Sequence, residues 1–286
     1  MTRTGPYTRL SVAVILIAGV AGVAACDSST APRAPGAVDA QVSADVAATA
    51  GEGVAADVAS LLADETLAGV AAGAALSGAR AATVAEAAGC PFDAATQYHL
   101  CSRTTERGLD LTRRYQFRDA SGAPMESYDP ERTAAIAFGR TLDGHLSGTT
   151  AAGVSWTAAT HQSAERIVSG LAGAETQRVW NGSGSSADTT THSDGATTRH
   201  YAATTAHLAR NVVVKLPRSS FPWPQSGTMT RTVSADLEVV GARDGTRRVS
   251  RTVTVTFNGT ARVPLVVNDL SCTLDLETGR VSDCGR

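Results

Sequence analysis

After Cys90 the chain carries several runs in which polar and apolar residues alternate, and a period of two points to β-strands with one dry face. In "LDLTRRYQF", Leu109, Leu111, Tyr115 and Phe117 share one parity, while Asp110, Thr112, Arg114 and Gln116 share the other. Ile136, Phe138, Leu142 and Leu146 repeat the pattern. So do Met229, Val233, Leu237 and Val239, set against Thr228, Thr230, Thr232 and Glu238. Val249, Val253, Val255 and Phe257 follow, set against Ser250, Thr252, Thr254 and Thr256. Successive side chains on a strand point to opposite faces, so each run presents one apolar face. Threonine suits the wet side because it is β-branched and polar at once.

Turn signals separate the runs: "DASG" at 119–122, "SDG" at 193–195, "RDG" at 243–245 and "ETG" at 277–279. Short connections favour neighbours in sequence as neighbours in space. The expectation is a mainly β fold, an antiparallel up-and-down meander of about eight to eleven strands with one face buried. Curled sheet, open barrel and sandwich all satisfy it. With Glu277-Thr278-Gly279 as a three-residue loop, Gly279 takes the left-handed position and Leu276 faces Arg280. That register sets Cys272 directly opposite Cys284. With Arg243-Asp244-Gly245 as a loop, Val239 faces Val249 and Ala235 faces Val253.

Ahead of the strands the character changes. From Val38 to Gly89 the chain is Ala-dominated and lacks Pro. Val54, Val58, Leu61 and Leu62 recur at helical spacing, with Glu52, Asp57 and Asp64 elsewhere on the wheel. The spacing predicts a short helix over 53–63. Asp64 would cap a second helix from Glu65 that carries Leu67 and Val70. The predicted organisation is thus an Ala-rich helical segment over 51–89 and an antiparallel β domain over 90–286.

The N-terminus has the three parts of a secretory signal. Arg3 and Arg9 make a positive start, Leu10 to Val23 an apolar run, and Ala24-Ala25 the small residues before a cleavage site. The apolar run is shorter than the roughly twenty residues that span a bilayer. Val23-Ala24-Ala25-Cys26 resembles the lipobox of bacterial lipoproteins. The resemblance implies that residues 1–25 are removed and that Cys26 becomes the first mature residue, its thiol carrying a diacylglycerol. Two or more acyl chains hold a protein on a membrane effectively permanently. Residues 26–50, opening "CDSSTAPRAPG", read as a lipidated end and flexible spacer. The implied address is the bacterial cell envelope, anchored to a membrane.

With Cys26 assigned to lipid, Cys90, Cys101, Cys272 and Cys284 remain. An even number in an exported chain reads as two disulfides, and the clustering into two close pairs favours Cys90–Cys101 and Cys272–Cys284. The spacings fit no zinc site.

The rest of the chain points away from chemistry. A net charge of −2 offers no electrostatic reason to bind nucleic acid. His99, His145, His161, His192, His200 and His207 form no metal motif, and His200 and His207 have opposite parity. "GVSW" around Ser155 lacks the closing glycine of a nucleophile elbow. "GSGSS" at 182–186 lacks the Lys of a phosphate loop and reads as an exposed loop; Asn181 and Asn258 read as turn asparagines. No catalytic, cofactor or metal residue is expected, and the chain reads as a non-enzymatic binding or structural protein. A hydrolase is the more distant alternative.

Two features suggest contacts. "SSFPWPQSG", 219–227, interrupts the strands with a Pro-stiffened loop carrying Phe221 and Trp223, a candidate contact loop for a membrane or an envelope protein. A lipid-anchored curled sheet also resembles, in architecture alone, the open half-barrel of envelope lipid carriers, which implies an amphipathic ligand on the concave face. Against it, Arg113, Arg140, Arg231 and Arg251 share parity with the apolar residues of their strands. A greasy tunnel should not carry four guanidiniums unless they meet acidic headgroups, which implies a polar-headed ligand or wet strand ends.

Overall fold

Every alternating run became a strand of one antiparallel sheet. The computed structural model describes residues 51, 53–55, 57–61, 64, 90–101, 104–106, 108–149, 155–173, 175–193, 198–240, 245–268 and 270–285. Among the described residues a short helix, α1 (51–64), precedes fourteen strands. In order they are β1 (Phe92–Asp93), β2 (Tyr98–Leu100), β3 (Thr104–Glu106), β4 (Leu109–Arg118), β5 (Pro124–Met125), β6 (Ala135–Thr149) and β7 (Ser155–Ser169). They continue as β8 (Gln177–Ser193), β9 (Thr198–Lys215), β10 (Ser226–Val240), β11 (Gly245–Thr256), β12 (Arg262–Val267), β13 (Leu270–Asp275) and β14 (Val281–Gly285). The signal peptide, Cys26, the spacer, the helix expected after Asp64 and the tips of the "SDG" and "RDG" loops lie outside the described residues.

The sheet follows chain order from β1 to β14, with β3 and β5 pairing only with β4. It is the expected up-and-down meander, as a single sheet. It holds more strands than expected because β1, β2, β3 and β5 are two or three residues long, too short to show a period.

One face is dry from β4 across the long strands to β13. Tyr115, Phe117, Ile136, Phe138, Val168 and Trp180 join Val255, Leu265 and Leu274 in one core cluster. Strands from opposite ends of the order share that core, so the sheet curls. Helix α1 lies in the curl. Val54, Val58 and Leu61 are each 2% exposed or less and belong to the same cluster. Burying side chains of this size contributes about 1.5–3 kcal/mol each. Gly51 backs onto Leu274 and Val281, whereas Ser60 reaches Arg140 and Arg166. The helix therefore crosses the concave face from the β13–β14 side to the β6–β7 side.

The face assignment of α1 needs one correction. Asp57 and Asp64 lie on the buried side, at 6% and 5% exposure, and not elsewhere on the wheel. Positions 54, 57, 58, 61 and 64 form one helical stripe. The two aspartates were set apart from it because they are charged, but they are buried where arginines meet them.

Registers differ from expectation in an instructive way. Across β10 and β11, Val239 pairs with Gly245 and Ala235 with Val249, not Val249 and Val253. The displacement is even, so every side chain keeps its face. The observed register brings polar partners together across the strands. Arg248 meets Asp236 through two bonds of 2.6 and 3.0 Å, and the hydroxyls of Ser234 and Ser250 and of Thr232 and Thr252 come within 3.1 and 3.3 Å.

At the C-terminal hairpin Asp275 pairs with Arg280, which makes the loop one residue longer than expected. The Asp275 carboxylate accepts from the Glu277 and Thr278 amides and tightens the turn, and Gly279 sits at φ 70° as anticipated. A bulge between Ser271 and Thr273 then restores the anticipated pairing, with Ser271 opposite Gly285 and Asp283 left-handed at φ 53°.

The "GSGSS" segment is no exposed loop. It is the middle of β8, and Asn181 beside it is in the strand, its Oδ1 accepting from the Asn211 amide across a bulge. A Cβ on Gly184 would lie 2.3 Å from His207 Cε1 and 2.4 Å from the Ser163 carbonyl oxygen; one on Gly182 would lie 2.5 Å from the Glu165 carbonyl oxygen. Glycine here answers a close approach within the sheet, which its turn propensity disguised. Asn258 does sit in a turn, accepting from the Thr260 amide and hydroxyl.

Candidate functional site

The polar centre of the molecule lies where α1 crosses the sheet. Arg140 on β6, Arg166 on β7, His207 on β9 and Arg231 on β10 all face inward, because pairing sets Arg140 opposite Ala164, Arg166 opposite Gly182 and His207 opposite both Gly184 and Arg231. Glycine and alanine on the intervening strands leave room for the long side chains and the helix above them.

The Asp57 carboxylate is gripped from both sides. Arg166 Nη2 donates to Oδ1 and Arg231 Nη2 to Oδ2, each at 3.0 Å. Arg166 Nη1 also donates to Asp64 Oδ2 at 3.1 Å and to Ser60 Oγ at 2.9 Å, while Arg140 Nη1 reaches Ser60 Oγ at 3.2 Å. Burial alone would raise Asp57, yet the guanidiniums of Arg231 and Arg166 outweigh it and hold the carboxyl well below the usual range. Asp64 goes the other way. Burial pushes it up, and Arg166, with Arg113 and Arg140 nearby, offsets only part of that. Burial pushes the His207 imidazole down; the Asp57 carboxylate opposes this, and Arg231, Arg166 and Arg140 add to it.

A second buried pair stands apart, where Arg178 meets Glu175 at 2.7 Å and Tyr128 Oη donates to Glu175 Oε1 at 3.4 Å. Burial, reinforced by the Glu175 charge, pushes the Tyr128 hydroxyl up to about 12.

The residues singled out from sequence fall as follows. Cys90 bonds Cys101 and Cys272 bonds Cys284, with Cα atoms 3.8 and 4.1 Å apart, in line with the expected pairing. Such bridges fit an oxidising compartment outside the cytoplasm. Phe221 and Trp223 are half-buried: Trp223 packs against the core, and Lys215 Nζ lies 5.7 Å from the centre of the Phe221 ring. His207 faces in, whereas His200 is exposed and within 3.0 Å of Thr191 Oγ1, which is the expected opposition. His99 is buried between the Cys90 and Glu126 carbonyls and stacks on Tyr115 at 4.6 Å. Among the described residues no group of His, Cys, Asp and Glu has the arrangement of a metal site.

Of the inward arginines anticipated from parity, Arg231 and Arg140 meet helix groups; Arg166 was missed, as were the aspartates that answer them. The available signal was the coincidence of charged residues with apolar parity on both elements.

Among the described residues no helix is long and apolar enough to cross a membrane. Compared with known proteins, the chain matches no family model, no curated protein and no solved structure.

Proposed function

We propose that this chain is an exported, lipid-anchored lipoprotein of the bacterial cell envelope, with a non-enzymatic binding or structural role. The observation that carries the role is the filling of the concave face. Where a half-barrel carrier would hold acyl chains, α1 supplies Val54, Val58 and Leu61 to the core and Asp57 and Asp64 to the inward arginines. The cavities left beneath the helix measure about 10 and 20 Å³, far below the several hundred that a lipid-sized ligand needs. The larger pocket of about 310 Å³ is an open hollow on β6–β8 edged by His145, Ser147, Thr157, Thr189 and Thr191, with no described residue of α1 in its lining. The acidic partners that the inward arginines require come from within the chain. Contacts with other molecules then fall to the outer face and the loops, Phe221 and Trp223 included. The anchor rests on the small-residue run ending at Cys26, and the two disulfides agree with export.

Two experiments test this reading. Cys26→Ser is expected to abolish acyl labelling and to release or misprocess the protein; unchanged labelling and membrane retention overturn the anchor. Native mass spectrometry after gentle extraction is expected to give the mass of the lipidated chain alone. A bound lipid-sized mass would instead favour the carrier, with α1 displaced.

A further inference from the structure

Beneath α1 lies a polar cavity of about 20 Å³, bordered by Arg140, Gln162, Ser186, Thr205, His207 and Arg231. Its size decides what can enter. A single water needs at least about 10–15 Å³ of such space, so one particle of water or halide size fits. A tetrahedral oxyanion or a lipid headgroup does not.

Charge decides between water and an anion. Four guanidiniums, those of Arg113, Arg140, Arg166 and Arg231, surround the two carboxylates of Asp57 and Asp64. Arg113 and Arg140 are direct cross-strand partners, an arrangement of like charges that is unfavourable without a counter-charge. Asp57 also borders the cavity, but a guanidinium holds each of its oxygens. Arg231 is 7% exposed and already donates through Nη2, yet its Nε has no hydrogen-bond partner among the described residues, and neither has His207 Nε2. Ser186 Oγ and the Gln162 amide are directed to Asp188 and Thr160. Among the residues that border this cavity, the unmet polar atoms are thus Arg231 Nε and His207 Nε2, and both residues also border the smaller cavity beside it. A water would leave, among the described residues, four guanidiniums against two carboxylates in a largely buried site. An anion would answer both the unmet atoms and the charge.

We infer that this cavity is a binding site for one halide-sized anion, held by Arg231, His207 and Arg140, which ties α1 to the sheet. The test is thermal unfolding of the whole mature chain at constant ionic strength, with chloride or bromide exchanged for sulfate or phosphate. At low millimolar salt, below the concentrations at which sulfate and phosphate stabilise proteins generally, the midpoint is expected to rise with the logarithm of chloride and bromide concentration and not with the larger anions. Arg140→Gln keeps both Asp57 pairs, and it should weaken the chloride effect by about ten- to a hundredfold, the loss of one charged hydrogen bond. Equal stabilisation by all four anions is general screening and overturns the site. So does a chloride effect unchanged in Arg140→Gln. Should that variant not fold, a bromide-soaked crystal of the unaltered protein decides. An anomalous peak within hydrogen-bond reach of Arg231 Nε and His207 Nε2 supports the site, and a water or no density there refutes it.

Discussion

Asp57→Asn removes one charge and almost no volume, and the structure sets the expected consequence. The Asp57 side chain is 8% exposed and its partners Arg166 and Arg231 are 5% and 8% exposed, so solvent screens none of the three appreciably. Breaking a buried pair by neutralising one member costs about 3–5 kcal/mol, because the remaining charge stays buried without compensation. Here Arg166 keeps Asp64, whereas Arg231 has no other ion pair among the described residues. For a domain of this size each kcal/mol lowers the midpoint by about 2–4 °C, so a fall of roughly 6–20 °C is expected. Hydrogen exchange should locate the damage, with protection lost first over residues 51–64 and last in the central strands. Arg231→Met should cost less in the Asp57→Asn background than alone, by about 0.5–3 kcal/mol. Thermal melts, hydrogen exchange and that double-mutant cycle are the assays. A single variant within about 0.5 kcal/mol of the native protein, with helix protection intact, would refute the view that this charge pairing fastens the helix.

Three further outcomes are expected. Non-reducing peptide mapping should return Cys90–Cys101 and Cys272–Cys284, and opening the latter with paired alanines should cost about 2–3 kcal/mol in urea unfolding; cross-linkage between the pairs would contradict the hairpin register. Gly184→Ala should destabilise by about 1–3 kcal/mol, since the new methyl group meets the His207 ring and a backbone carbonyl; a neutral result would mean that the sheet opens there freely. Acid should act in two stages: His207, whose folded pKa is lowered, binds protons more readily when unfolded, so its contribution is lost as pH falls below the unfolded value near about 6.5. Asp57, also lowered, loses its contribution only below about 3.9, while Asp64, raised, opposes that loss. His207→Gln should flatten the upper limb of the stability–pH curve, and an unchanged upper limb would sink this assignment.

Period-two alternation determined which face of β4, β6, β10 and β11 is dry, because every second side chain must point the same way whatever its neighbour does. With short turns between them, the strands had to form an up-and-down meander, and the close spacing of Cys90 with Cys101 and of Cys272 with Cys284 foretold both bridges. The alternation was silent on register, since a slip by an even number of residues leaves every face unchanged. Only the tertiary structure shows the register, in which Asp236 meets Arg248 across β10 and β11. Glycines 182 and 184 misled for a related reason: a glycine in a turn and one beneath a crossing side chain look alike in one dimension. The polar centre was the least legible. Arg166 lies 109 residues from Asp57 and Arg231 lies 174 from it, so no local pattern joins them. Apolar parity announced that some arginines would face inward. Only the curling of the sheet around α1 decided that carboxylates of the same chain would meet them there.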